Sequence, residues 1–142
     1  MNICLFTSTF LPKTGGLENV VDTLAKTFIR LGHNVVVLAK TPRGMKEAPK
    51  FDYPVYYYKR SRSEVWFLGS PKRELLRLHK QYKFDIIHAH QIYPTGWLAV
   101  KFSQKYGIPA VLTSHVGDVH DGSRYRRHWL ISRRMIWAMW HA

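Results

Sequence analysis

Asn2 to Thr7 (NICLFT) and Asn34 to Ala39 (NVVVLA) are short, uninterrupted apolar runs with a single helix-periodic segment between them, a pattern that few architectures accept. A run that is apolar at successive positions, and not at alternate ones, suits a strand covered on both faces. Between the runs, Leu17, Val20, Val21, Leu24, Phe28 and Leu31 recur at helical spacing, and Gly32 stands where a helix-terminating glycine belongs. Strand, glycine turn, helix and strand make a βαβ unit. Its two strands must then run parallel through a right-handed crossover.

The remaining chain repeats the theme. Lys40 to Pro54 is rich in Pro, Gly and Lys without an apolar period and reads as a loop, and VYYYK after it reads as a strand. Ser70 and Pro71 make an N-cap and first-turn pair for a helix that carries Leu75, Leu76 and Leu78 to about Tyr82. FDIIHA is a third buried strand, Thr95 to Tyr106 a helix closed by Gly107 and Pro109, and AVLTS (Ala110 to Ser114) the next strand. A last helix is expected from about Ser123 to His141. It would pack through Tyr125, Trp129, Ile136 and Trp140 on one face, with Arg126, Arg127, Arg133 and Arg134 on others. Strands alternating with helices in this way predict an α/β fold, an open parallel Rossmann-like sheet with helices on both faces. With 142 residues the chain is expected to be one domain, residues 1–142, and no strand follows the last helix, so the architecture looks truncated at Ala142.

Composition narrows the setting. No apolar run reaches the roughly 18 residues of a membrane span, and the first ten residues lack the charged start of a leader, so the expected address is cytoplasmic. The only cysteine, Cys4, lies in an apolar run: no internal disulfide can form, a zinc cluster is excluded, and a small buried hydrophobe is the simplest reading. The net charge of +13 is unevenly spread, with 12 Lys or Arg against 4 Asp or Glu from Lys40 to Lys83, and 5 Arg and no acid from Gly122 to Ala142. Such surfaces attract nucleic acid, anionic lipid headgroups or phosphate-bearing small molecules.

In an open α/β sheet, ligands bind beyond the carboxyl ends of the strands, so the loops after strands carry the information. Three stand out: STFLPKTGG, HQIYPTG and HVGDVHD. Gly15 and Gly16 open the first helix, where free N–H groups and the positive dipole end favour an anion; absent Cβ atoms admit a phosphate, and Lys13 adds a charge. The stretch is neither G-x-G-x-x-G nor a P-loop, and a plain turn into a helix would use the same residues. Glu18 either complements the dipole or accepts a bond from a ligand hydroxyl. His115, Asp118, His120 and Asp121 crowd one loop, while His88 and His90, two apart on a strand, share a face. No metal site is expected from them, because a recognised ligand spacing such as H-E-x-x-H is missing. His88 reads as a buried strand residue with a satisfied ring; His90 and His115, at strand tips, are better placed for ligand contact or for capping. For the last helix, packing on the sheet competes with a face lying on an anionic membrane.

Three segments, in order, carry a family resemblance: PKTGGLENVVDTLAKTFIRLGHNVVVLA, FDIIHAHQIYPTGWLAVKFSQKYGIPAVLTSHVGD and RYRRHWLISRRMIWAMWHA. They resemble the N-terminal half of a family-4 glycosyltransferase of the GT-B fold, through its G-G-x-E loop, its His-bearing strand tip with the T-x-H-x-x-D loop, and its basic helix. The resemblance implies retaining transfer of a sugar from a nucleotide-diphosphate donor to a sugar, lipid-linked or small-molecule acceptor hydroxyl, with no cofactor and no obligatory metal. It places Gly15 and Gly16 near the diphosphate or acceptor, Glu18 on the acceptor side, His115 beside the transferring sugar as the catalytic residue, and Asp118 in support of that loop or on a hydroxyl. Lys13 and His90 are further substrate-binding candidates. Nothing matches the family's second, donor-binding domain with its paired glutamates. The chain is therefore expected to be inactive alone and to need a C-terminal domain or a separate partner chain, with peripheral contact at an anionic membrane as an option. The competing reading is a basic module for nucleic acid or an anionic surface, in which YYYKRSR supplies stacking tyrosines and phosphate contacts; nucleic acid is the weaker of these partners, since the glycines and histidines cluster away from that segment.

Overall fold

The structure, a computed structural model, describes residues 1–59, 69–120, 123 and 127–142. Five strands form one parallel sheet: β1 (Asn2–Thr7), β2 (Asn34–Lys40), β3 (Val55–Tyr58), β4 (Ile86–His90) and β5 (Ala110–Thr113), in the spatial order β3-β2-β1-β4-β5. The helices are α1 (Gly16–Arg30), α2 (Gly69–Tyr82), α3 (Trp97–Tyr106), the short α4 (Val116–Val119) and α5 (Trp129–His141). This is the Rossmann-like sheet that the sequence predicts.

Burial on both faces explains why β1 and β2 are apolar throughout. Ile3, Leu5, Val35, Val37 and Ala39 meet Val21 and Ala25 of α1, while Cys4, Phe6, Val36 and Leu38 belong to the opposite layer with Leu75 and Leu78 of α2 and Phe102 of α3. Burying one such large side chain contributes about 1.5–3 kcal/mol, and the two layers clamp the central strands from either side. Cys4 is fully enclosed, and burial raises its thiol pKa, as befits a small hydrophobe. The α1 helix ends where Gly32 takes a left-handed φ of +82° and returns its N–H to the Ile29 carbonyl at 2.9 Å.

Four local expectations change. Val20 and Leu31 are exposed, because a helix lying on a sheet buries one stripe, here Val21 and Ala25 flanked by Leu17, Leu24 and Phe28. Helix α2 already includes Gly69, so Ser70 lies inside its first turn and not at a cap. Helix α3 starts at Trp97, because Thr95 and Gly96 are absorbed into a wide turn, Ile92–Gly96, in which the Thr95 hydroxyl donates to the His90 carbonyl at 2.7 Å. In α5 the predicted packing face is the outer one: Trp129, Ile136 and Trp140 are exposed, and Ile131, Met135 and Ala138 pack instead against Ile92, Tyr93 and Val100. With apolar residues all round, periodicity alone could not choose the inner face. Tyr125, Arg126 and Asp121, and the Arg60 to Arg62 end of YYYKRSR, lie outside the described residues. Among the described residues no helix is long and apolar enough to cross a membrane.

Candidate functional site

The sheet order places a topological switch point between β1 and β4: from β1 the chain moves outward through β2 to β3, and from β4 it moves the other way to β5. In open α/β sheets the loops diverge at such a point, and ligands usually bind there. The register brings Thr7 beside His90 and His90 beside Thr113, so the three loops singled out in the sequence leave neighbouring strand ends.

In the first loop, Gly15 is extended (φ −178°, ψ 177°) and α1 starts at Gly16. A Cβ on Gly15 would lie 2.6 Å from the Glu18 carboxylate, whereas one on Gly16 would meet nothing within 4 Å. Glu18 is buried; its Oε1 accepts the Thr9 hydroxyl at 2.5 Å and lies 3.8 Å from the Lys13 ammonium. Glu18 thus turns back on its own loop, bonded to Thr9 and filling the space beside Gly15. Lys13 is largely exposed, so its ion pair is weak and its charge stays free to swing to a ligand.

In the second loop, Gln91 follows His90 with a left-handed φ of +78°, an unusual state for a residue with a Cβ. Its side-chain oxygen accepts the Ser8 hydroxyl, which ties the β4 loop to the β1 loop across the switch point. The Gly96 N–H closes the turn onto the Gln91 carbonyl at 3.0 Å, and a Cβ there would come within 2.8 Å of the same oxygen.

The third loop carries His115 and Asp118. The buried Asp118 Oδ2 accepts the His115 N–H at 3.0 Å and the Ile92 N–H at 3.1 Å, joining the β5 loop to the β4 loop, while its Oδ1 has no partner among the described residues. Burial raises the Asp118 pKa; the two N–H bonds and the nearby His115 ring oppose that rise. His90 is fully buried, its Nδ1 3.3 Å from His115 Nε2 and its ring stacked on His88, whose Nε2 meets the Thr113 hydroxyl at 2.7 Å. Burial, then His88 and His115, pull the His90 pKa down to about 3, so it is a neutral imidazole in ordinary buffers. The His88 pKa is lowered by burial and by His115.

His90, His115 and Asp118 are therefore one connected group, and Gly15, Gly16, Glu18 and Lys13 another, joined through Ser8 and Gln91. Chemically the loops at the switch point offer helix-start amides at Gly16 and the half-buried imidazole of His115. That combination suits an anionic group bearing hydroxyls. Sequence reasoning did not single out Ser8, Thr9 or Gln91. The only signal was their position in polar stretches after strands, and the left-handed φ of a glutamine leaves no mark in sequence.

The sequence model of Glycosyltransferase Family 4 matches residues 14–142. An alpha-monoglucosyldiacylglycerol synthase from Streptococcus pneumoniae (strain ATCC BAA-255 / R6) is 27% identical over 122 residues, 81% of this chain and 26% of that protein. The Acholeplasma laidlawii alpha-monoglucosyldiacylglycerol synthase is 26% identical over 118 residues, 81% of this chain and 30% of that one. The chain thus spans between a quarter and a third of the curated relatives it matches. Among solved structures, a sucrose-phosphate synthase from Thermosynechococcus elongatus superposes with a TM-score of 0.71 at 16% identity, over 94% of this chain and 39% of that one. The catalytic domain of starch synthase IV from Arabidopsis thaliana, bound to ADP and acarbose, gives 0.57 at 18% identity over 80% and 33%.

Proposed function

The chain belongs to glycosyltransferase family 4, and from that premise we propose that it is the N-terminal, acceptor-side part of a retaining transferase that moves a sugar from a nucleotide-diphosphate donor to an acceptor hydroxyl. The observation that carries this reading is the tethering of the three loops at the β1–β4 switch point, where Ser8 is bonded to Gln91 and Asp118 holds the Ile92 and His115 N–H groups. In this reading the amides at Gly15 and Gly16 approach the diphosphate or the acceptor, and the open space at the missing Gly16 Cβ admits it. Glu18 acts mainly by holding that turn, its carboxylate being committed to Thr9. His115 contacts the transferring sugar, Asp118 holds the His115 backbone in place, and His90 backs the His115 ring. Holding sugar and acceptor in line, with positive groups on the departing diphosphate, supplies the acceleration.

The donor half is assigned to a C-terminal domain or partner chain, so residues 1–142 alone are inactive. Two relatives named for making glucosyldiacylglycerol favour a lipid-linked acceptor over a small soluble one. Against the nucleic-acid reading, Tyr58 is buried and the Tyr56 and Tyr57 hydroxyls are used within the fold, by Tyr82 and the Leu11 carbonyl. The test is turnover with nucleotide-sugar donors. Residues 1–142 should transfer nothing, and a longer form with a second α/β domain should transfer sugar, with His115→Ala lowering kcat about 10²–10³-fold. Turnover by the 142-residue chain, or an unchanged rate in His115→Ala, overturns the assignment.

A further inference from the structure

Among the described residues, two that carry a side chain hold a positive φ: Lys83 at +51° and Gln91 at +78°. Lys83 closes α2 in the ordinary way, its N–H on the His79 carbonyl at 2.8 Å. Gln91 differs. Its ψ of 139° places it in a region that glycine enters freely and other residues seldom enter. The main chain is tied on both sides of the bend: the Gln91 N–H donates to the Thr113 carbonyl at 2.9 Å, and the Gln91 carbonyl accepts the Gly96 N–H at 3.0 Å. Glycine would make the same two bonds without strain. What glycine lacks is the side chain, and the Gln91 side-chain oxygen accepts the hydroxyl of the buried Ser8.

That bridge stands in the middle of a hydrogen-bonded line through all three loops. Register sets Thr7 of β1 beside His90 of β4, so Ser8 and Gln91 are the first residues past two neighbouring strand ends. On one side, Ser8 opens the loop that runs to Gly15 and Gly16. On the other, Gln91 precedes Ile92, whose N–H is held by the Asp118 carboxylate at 3.1 Å, and the same oxygen holds the His115 N–H at 3.0 Å. Asp118 thus joins the β4 and β5 loops to each other. Among the described residues, the bond from Ser8 to Gln91 is what fastens the glycine loop to that pair. We propose that Gln91 is a positioning residue, whose carboxamide fixes where the glycine loop stands relative to His115. It acts through Ser8 and not on the substrate. For its effect on rate the inference rests on the transferase reading, while the tether is a property of this chain by itself. A shift of about 1 Å in a reacting group is enough to slow a reaction about 10²-fold.

Three substitutions separate the bend from the bridge. Gln91→Gly removes the bridge and relieves the bend, Gln91→Ala removes the bridge and keeps the bend, and Ser8→Ala removes the bridge from the other strand end. In urea, Gln91→Gly should be the more stable of the two variants at position 91. In the longer form with a second α/β domain, all three should lose kcat alike, by about 10²-fold, with KM for the nucleotide sugar little changed. Adding Ser8→Ala to Gln91→Gly should then lower kcat no further, because both act on one bond. In the 142-residue chain, amide hydrogen exchange across residues 8–18 should quicken in each variant while exchange in β2 stays as it was. A merely structural role makes rate follow stability. Transfer by Gln91→Gly at the unsubstituted rate, or well above that of Gln91→Ala, therefore overturns the proposal. So do unaltered exchange in the glycine loop and additive losses in the double variant. An unsubstituted longer form that transfers no sugar sinks the transferase reading instead, and the tether is then decided by the exchange measurement alone.

Discussion

Gly15 and Gly16 are adjacent glycines with opposite reasons for lacking a side chain. At Gly15 the space is filled from within: the Glu18 carboxylate would lie 2.6 Å from a Cβ and, buried and bonded to Thr9, cannot swing away. Gly15→Ala is expected to destabilise the fold by about 1–3 kcal/mol, seen as a lower urea midpoint. At Gly16 the space is empty, so Gly16→Ala should fold as well or better, by about 0.4–1 kcal/mol, while a ligand that uses the gap binds more weakly. Equal urea midpoints for the two variants would remove the distinction. His90 makes a second residue-level prediction, in pH. Its folded pKa of about 3 lies below the ordinary value near 6.5, so between those limits the unfolded chain binds the extra proton and acid destabilises the fold. Stability should be full above about pH 6.5 and fall by up to about 1.4 kcal/mol per unit as pH drops through that window. The lowered His88 acts in the same direction, and the raised Asp118 opposes them at the acid end. His90→Asn should flatten the slope in urea titrations at several pH values; an unchanged slope would mean that His90 is not the buried neutral group.

At the scale of elements, α1 and α5 show when periodicity suffices. Helix α1 has charged and polar residues on one side, so its sheet-facing stripe was predictable apart from Val20 and Leu31 at its margins. Helix α5 offers tryptophans, isoleucines and methionines around its whole circumference, and which side turns inward depends on the seat made by Ile92, Tyr93 and Val100. Met135→Ala is therefore expected to cost about 2–5 kcal/mol by opening a cavity in that seat. Trp140→Ala, although it deletes a far larger side chain, should stay within about 0.5 kcal/mol. Thermal or urea unfolding of the pair decides the matter, and a larger loss for Trp140→Ala would reverse the assignment of faces. The turn before α3 teaches a related lesson. Thr95 looks like a helix start in sequence, yet its hydroxyl is taken by the His90 carbonyl, so the helix begins only after Gly96 has completed the turn.

For the whole molecule, the decisive fact is the strand order β3-β2-β1-β4-β5. Three of the four connections read locally as strand, helix, strand, the link from β2 to β3 being a loop, and the order reverses between β1 and β4, where the glycine loop and the histidine-bearing loop leave neighbouring strand ends. The α/β class, the five parallel strands, the burial of Cys4 and the placing of three polar loops after strand ends were all determined by the sequence alone. Apolar runs, helical spacing and glycine stops are local properties that the chain carries before it folds. Tertiary structure alone decided that Glu18 folds back onto Thr9, that Gln91 takes a left-handed bend to reach Ser8, that His90 is neutral between two other imidazoles, and that α5 turns Trp129 and Trp140 outward. Each of these depends on which distant groups compete for the same space or the same hydrogen bond, and that competition exists only once the strands are side by side.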